Sequence, residues 1–144
     1  MTTKVLLTIM LTAVFAACSK NEYNTKPTLK IESVSTNVVQ VGGTLTFDIK
    51  VTDKEGDVTD SFYIKKIRIN KRQRPTLRDS FAFKIPDAPN TSNGTVRVDL
   101  DYQNYLLSAI SAVENDTLLF NFALKDKAKN LSETVTSDPI VIIR

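Results

Sequence analysis

The stretch that decides the fold runs from Thr44 to Thr52 and reads Thr-Leu-Thr-Phe-Asp-Ile-Lys-Val-Thr. Its apolar residues, Leu45, Phe47, Ile49 and Val51, alternate with threonine, aspartate and lysine. Successive side chains of a β-strand point to opposite faces of the sheet, so this alternation predicts a strand with one buried and one wet face.

The same alternation recurs on both sides of this stretch. It predicts further strands at residues 29–31, 62–72, 77–85, 96–102 and 118–124. Residues 139–144 are expected to form a last short strand that is apolar on both faces. In the strand from residue 62, Ile67 and Ile69 are expected to face inward, with Lys66, Arg68 and Asn70 outward. That phase differs from the one set by Ile64, which predicts a β-bulge beside Lys65. Apolar residues between Tyr105 and Val113 recur at helical spacing, so a short helical turn is expected there.

About seven short strands, with one helical turn before the sixth, predict an all-β antiparallel sandwich. A small β-barrel has a similar pattern and remains the alternative architecture.

The first residues have the layout of an export signal. Lys4 precedes an apolar run that ends in two alanines and Cys18. The run is shorter than the roughly 20 residues that a membrane-spanning helix needs. Phe15-Ala16-Ala17-Cys18 resembles the lipobox of bacterial lipoproteins. The resemblance implies a signal peptide over residues 1–17 and lipidation of Cys18. The residues from Ser19 to Pro27 are polar without apolar periodicity, so we expect a flexible tether over residues 18–27 and a folded domain over residues 28–144. Plain secretion is the alternative.

Composition narrows the functional classes. The chain has no histidine, one cysteine and a formal net charge of +3. Without histidine, Ser-His-Asp and Cys-His catalysis are excluded, and the commonest general base is missing. The weak charge gives no reason to expect nucleic-acid binding. We therefore expect a protein that is not an enzyme, with a small carboxylate-based hydrolase as the remaining catalytic hypothesis.

Two polar loops carry residues that suit a hard cation. Asp53, Glu55 and Asp57 alternate around Gly56 after the second predicted strand, and Asp126 and Asn130 follow the sixth. In an up-and-down sandwich both loops lie at one end, so the five residues are candidate calcium ligands. The alternative is that aspartate, glycine and asparagine are simply good turn residues.

These loops also carry a family resemblance. The segments Thr52-Asp53-Lys54-Glu55-Gly56-Asp57 and Asp126-Lys127-Ala128-Lys129-Asn130-Leu131-Ser132 look like the paired signatures of bacterial immunoglobulin-like domains. Such domains are frequent in surface lipoproteins of Bacteroidota-type bacteria. The resemblance covers residues 28–144 and implies an immunoglobulin-like β-sandwich without enzymatic activity. The family usually has glycine where this chain has Lys129, and a residue with a Cβ disfavours a left-handed turn at that position.

A basic segment is the second candidate site. Lys66, Arg68, Lys71, Arg72 and Arg74 fall within one predicted strand and the turn after it. Together they could bind the phosphates of lipopolysaccharide or an acidic polysaccharide. The alternative is a solvated strand edge on which lysines prevent aggregation.

These features predict a non-catalytic lipoprotein that is anchored to the cell envelope and held at the outer membrane by its lipid. Its expected role is a binding, adhesive or structural module with an envelope protein or glycan as partner. An accessory subunit of an envelope secretion, gliding or polysaccharide-uptake complex is the alternative.

Overall fold

A computed structural model describes residues 26–58, 60–71, 79–86, 92–107 and 114–144. The predicted signal peptide, Cys18 and most of the predicted tether lie outside these residues, as do Arg72 and Arg74 of the basic segment. The described part of the chain contains no helix with the length and apolar character needed to cross a bilayer.

The described residues form nine strands and one helical turn. The strands are β1 (Thr28–Val34), β2 (Val38–Val39), β3 (Thr44–Thr52), β4 (Ser61–Arg68), β5 (Ser80–Lys84), β6 (Asn93–Asp101), β7 (Asp116–Lys125), β8 (Val135–Thr136) and β9 (Ile140–Ile142). All seven predicted strands are present, and β2 and β8 are additional strands of two residues each.

The strands form two packed sheets. The small sheet has the order β1-β3-β6, and the large sheet has the order β2-β9-β7-β4-β5, with β8 paired to β7. All pairs are antiparallel except β2 with β9. The predicted all-β sandwich is confirmed.

The core lies where β3 of the small sheet faces β7 of the large sheet. The predicted inward residues of β3 and β7 are buried, with Phe47 and Phe120 both fully inaccessible to solvent. The Phe47 ring contacts Phe120 and Phe122, with centroid distances of 5.2 and 5.0 Å. Such tilted and edge-on aromatic pairs add to the stabilisation that comes from buried apolar area.

The predicted phase of β4 is wrong. Phe62 and Ile64 are buried, and Lys66 and Arg68 continue on the same inner face with 3% and 6% exposure. Ile69, expected to face inward, is 44% exposed. The pairing of β4 with β7 runs through eight residue pairs without a register shift, so the predicted bulge is absent from this ladder. The prediction failed because it assumed that charged residues must face water.

The helical turn lies earlier than predicted. It is a single π-helical turn over Tyr102–Leu106, and residues 108–113 of the predicted turn lie outside the described part. The Asp101 carboxylate accepts a hydrogen bond from the Asn104 N–H at 2.8 Å and so caps the turn. The hydroxyl of the buried Tyr102 donates to the Ile143 carbonyl at 3.0 Å, which links the turn to the residue that follows β9.

Candidate metal centre

Two loops meet at one end of the sandwich, as the up-and-down pattern predicted. One follows β3 and the other follows β7. The N–H of Lys127 donates to the Asp57 carbonyl at 3.1 Å, and the N–H of Ala128 donates to Asp57 Oδ2 at 3.1 Å. Two main-chain N–H groups of the second loop therefore bind Asp57 and hold the second loop against the first.

Asp53 shapes the loop after β3. Its carboxylate accepts hydrogen bonds from the N–H groups of Glu55 and Asp57, at 3.3 and 3.1 Å. Gly56 between them has φ of 74°, a left-handed conformation that glycine adopts without steric penalty. The side chain of Asp53 thus replaces the missing main-chain partners of a tight turn.

Asp126 shapes the second loop in the same way. Its carboxylate accepts from the N–H of Asn130 at 2.7 Å and from Asn130 Nδ2 at 2.9 Å. Lys129 has φ of 73°, so it adopts the left-handed conformation that ordinarily favours glycine. Its ammonium group lies 2.7 Å from the Asp60 carboxylate at the surface. The lysine at this position therefore does not prevent the turn.

Three carboxylates converge between these loops. Asp53, Asp57 and Asp126 each offer an oxygen within 4.8 Å of the other two. Asp53 and Asp126 are 1% and 0% exposed, although aspartate is rarely buried without a partner. Asp57 Oδ1 is also buried and has no hydrogen-bond partner among the described residues. This buried acidic cluster has the charge and the donor set to bind a metal ion.

The electrostatics of the cluster favour neutralisation. The pKa of Asp57 is raised, first by the neighbouring carboxyl group of Asp53, then by burial and by the negative charge of Asp126. Carboxylates held this close repel one another when all are ionised. A proton or a cation relieves that repulsion, and a divalent cation does so for more than one carboxylate.

The two other predicted ligands take different roles. Glu55 is exposed, and its side chain is not part of the acidic cluster. Asn130 directs its amide nitrogen toward Asp126 and so orients that carboxylate. The sequence showed that both loops share one end, but alternation alone could not show which side chains turn inward.

The basic segment is not a single exposed patch. Lys66 and Arg68 are buried, which corrects their prediction as anion-binding residues, and Lys71 is exposed. Lys66 is buried because its ammonium group donates to the Tyr105 carbonyl beneath the π-helical turn. The surface available for an anion therefore lacks two of the five predicted residues.

Arg68 belongs to a buried ionic group that the sequence analysis missed. Its Nε lies 2.5 Å from Oδ1 of Asp116, which is fully buried, and its Nη2 lies 2.9 Å from Oε1 of the half-exposed Glu114. Arg144 also forms an ion pair with Asp116. A signal for this group was present, because Asp116 is in phase with the buried residues Leu118 and Phe120. The group joins β4, β7 and the end of the described chain.

Comparisons with known proteins identify no family. No protein-family model matches the chain, and no curated protein matches it. Among solved structures, it is similar to a β-glucosidase from Kluyveromyces marxianus in complex with glucose, with 14% identity and a TM-score of 0.43. It is also similar to a β-glucosidase from Listeria innocua in complex with glucose, with 12% identity and a TM-score of 0.39. The matches cover 83% and 81% of this chain but only 15% and 16% of those enzymes.

Proposed function

We propose that this chain is a non-catalytic, calcium-binding β-sandwich lipoprotein that serves as a binding, adhesive or structural module of the cell envelope. The observation that carries the cation part is the convergence of Asp53, Asp57 and Asp126 within 4.8 Å. The lipobox-like Phe15-Ala16-Ala17-Cys18 supports lipid anchoring and an outer-membrane location. The absence of histidine from the sequence supports a non-catalytic role.

Calcium is the cation that best fits the cluster. All three side chains offer carboxylate oxygen, which hard cations prefer. The ligands come from two separate loops, and Ca²⁺ tolerates the irregular geometry that such loops provide. Mg²⁺ demands a near-ideal octahedron of short bonds and usually keeps several waters. Water and loop carbonyls would complete the Ca²⁺ coordination.

Thermal unfolding of the purified chain tests this site. A cation that binds only the folded state stabilises it by about 2.7 kcal/mol when its concentration is a hundred times its dissociation constant. The melting temperature should therefore be higher in millimolar Ca²⁺ than in chelator, and Ca²⁺ should raise it more than Mg²⁺. The double variant Asp57→Asn, Asp126→Asn should abolish the difference.

Glu55→Gln is the matched control, because Glu55 lies in the same loop but outside the cluster. This variant should respond to Ca²⁺ as the unaltered chain does. If the unaltered chain melts at the same temperature with and without Ca²⁺ and calorimetry detects no heat of binding, the three aspartates only shape turns.

An open strand edge favours a second candidate role, that of an accessory subunit in a larger envelope complex. Among the described residues, β5 pairs with β4 alone and is the last strand of the large sheet. Extended segments of other proteins can add to such an edge. Cross-linking in the producing cells, followed by purification of the lipidated protein, would separate the two roles. Recovery of one secretion, gliding or polysaccharide-uptake assembly in stoichiometric amounts would support the accessory role.

A further inference from the structure

We propose that the open edge of β5 binds the same edge of a second copy, in antiparallel orientation, and joins two large sheets into one. This inference depends on neither the cation site nor the lipid anchor. It rests on the hydrogen-bonding groups of β5, on its side-chain sequence and on the contrast with the other described sheet edges.

The main chain of β5 presents a defined set of groups to the open side. Two hydrogen bonds at the ends of the β4–β5 ladder show which residue pairs are hydrogen-bonded. The Lys66 N–H donates to the Asp79 carbonyl, and the Ile85 N–H donates to the Asp60 carbonyl. In an antiparallel ladder, bonded and non-bonded pairs alternate. The main-chain groups of Phe81 and Phe83 therefore point toward β4, and those of Ser80, Ala82 and Lys84 point toward the open edge.

The side-chain sequence of β5 complements itself. It reads Ser80-Phe81-Ala82-Phe83-Lys84, so a twofold axis at Ala82 places Ser80 opposite Lys84 and Phe81 opposite Phe83 of the other copy. In this register the outward main-chain groups of Ser80, Ala82 and Lys84 form the hydrogen bonds between the two copies. The phenylalanines fall at non-hydrogen-bonded positions, where side chains of paired strands come closest. Aromatic cross-strand pairs stabilise a sheet, and a twofold contact needs such self-complementarity.

The charge of β5 is compatible with this pairing. Lys84 is its single charged residue and lies at one end. In the twofold register each Lys84 faces a serine, and the Cα atoms of the two lysines are about 14 Å apart, at opposite ends of a pairing roughly 17 Å long. No like charges stand directly opposite one another, an arrangement that would destabilise the pair.

The other edge strands carry features that discourage pairing. β1 has a register irregularity between Ile31 and Ser33, and β2 has only two residues. The outward face of β6 carries Arg97, Asp99 and Asp101. β5 has neither proline nor a register shift, and its Phe83 is 37% exposed. Natural proteins usually protect open edges with charge, proline or bulges, so β5 has the least protection among the described edges.

The expected dimer is weak in solution. Five residues form a ribbon roughly 17 Å long, and such a ribbon buries less than the ~800 Å² per partner of a typical stable interface. The inner face of β5 borders a cavity of about 250 Å³ that Phe81, Phe83 and Tyr105 line together with residues 97–100 of β6. The aromatic pairs of the dimer would therefore lie next to this cavity, which separates β5 of the large sheet from β6 of the small sheet.

Disulfide trapping of the full chain tests the register directly, with Cys18→Ser present so that no other cysteine remains. Facing residues of a bonded antiparallel pair have Cα atoms about 5.5 Å apart, which is within disulfide range. Ala82→Cys should therefore form a covalent dimer on mild oxidation. The matched control is Ser80→Cys, whose two copies would lie more than about 12 Å apart in this register and should remain monomeric.

Sedimentation across a range of concentrations gives the second measurement. The chain with Cys18→Ser should show a concentration-dependent dimer. Ala82→Lys places two charges opposite each other and should raise the dissociation constant by about tenfold or more. Gln40→Lys adds the same charge at an exposed turn and should leave it within about twofold. Circular dichroism melts establish that each variant folds. A chain that is monomeric at every concentration, or equal trapping at Ser80 and Ala82, would overturn the proposal.

Discussion

In the loop after β7, a single residue other than glycine holds a left-handed conformation. Lys129 holds φ of 73° because the main chain on both sides is fixed by hydrogen bonds to Asp126. For residues with a Cβ, this region is sterically unfavourable. The ion pair between Lys129 and Asp60 is exposed on the lysine side and gives little in return.

We therefore expect Lys129→Gly to raise the melting temperature by a few degrees. Glycine adopts a positive φ without the steric penalty, and this gain should exceed the loss of a solvated ion pair. Differential scanning calorimetry measures the change. Lys129→Ala is the control, because it loses the ion pair and keeps the strain, so it should melt slightly lower than the unaltered chain. A decrease of the same size for both variants would show that backbone strain is not important here.

At the scale of elements, β4 combines two environments along one face. Phe62 and Ile64 lie in the apolar core, whereas Lys66 donates to a carbonyl of the π-helical turn and Arg68 contacts the carboxylate of Asp116. The strand keeps one phase throughout, since each buried charge has a partner that offsets its desolvation. The consequence is that one half of β4 depends on packing and the other half on the ionic group.

Removal of the buried carboxylate should be strongly destabilising. Asp116→Asn would leave the guanidinium groups of Arg68 and Arg144 close together without their shared anion. Breaking a buried ion pair from one side costs about 3 to 5 kcal/mol. Urea unfolding measures the loss. Asp138→Asn, at an exposed position, should change the free energy of unfolding by less than about 0.5 kcal/mol. Similar small effects for both variants would mean that Asp116 is hydrated in solution.

The aromatic contact between the two sheets should contribute strongly to the free energy of unfolding. Phe47→Ala or Phe120→Ala removes a fully buried ring and should cost about 3 to 5 kcal/mol, a large part of the stability of a small domain. Thr46→Ala is the neighbouring control, and it loses a surface hydrogen bond of 2.6 Å to Asp99. That loss should not exceed about 1.5 kcal/mol. If chemical denaturation gave equal values, the order of the inner and outer faces would be wrong.

The sequence was sufficient for strands in which an apolar residue recurs at every second position. In β3 and β7 this pattern marks the inner face, and both buried faces were predicted correctly. In β4 the same alternation was present, but the inward charges depend on Asp116 and on the Tyr105 carbonyl, which lie far away in sequence. The strands β2 and β8 are too short to show a period and exist through pairing with β9 and β7.

The sequence predicted which two loops form the candidate site, but not which of their carboxylates lie in it. Alternating strand direction was enough to bring Asp57 and Asp126 to one end of the sandwich. The choice between Asp53 and Glu55 was not predictable, because it depends on which side chain closes the turn onto its own main chain. Position within the turn, rather than residue type, decides which carboxylate is buried.

For the whole molecule, lipidation of Cys18 is predicted to decide whether the domain is held at a membrane. Mass spectrometry of the protein from its native cells should find an N-terminus at Cys18 that carries acyl groups. Cys18→Ser should release the domain into a soluble fraction or block its processing, because the lipid supplies the membrane affinity. An unmodified Cys18 in the mature protein would contradict this prediction and favour plain secretion.

The start of β1 has a further consequence for how such molecules would be arranged. Thr28 pairs with Thr52, so the chain enters the sandwich beside Asp53, at the end that holds the acidic cluster. Two copies joined antiparallel through β5 would have these entry points at opposite ends. The ten residues from Cys18 to Pro27 reach about 35 Å when extended. If both lipid anchors were in one bilayer, the dimer would lie flat along its surface. If each anchor were in a different bilayer, the dimer would stand upright between the two and hold them a fixed distance apart.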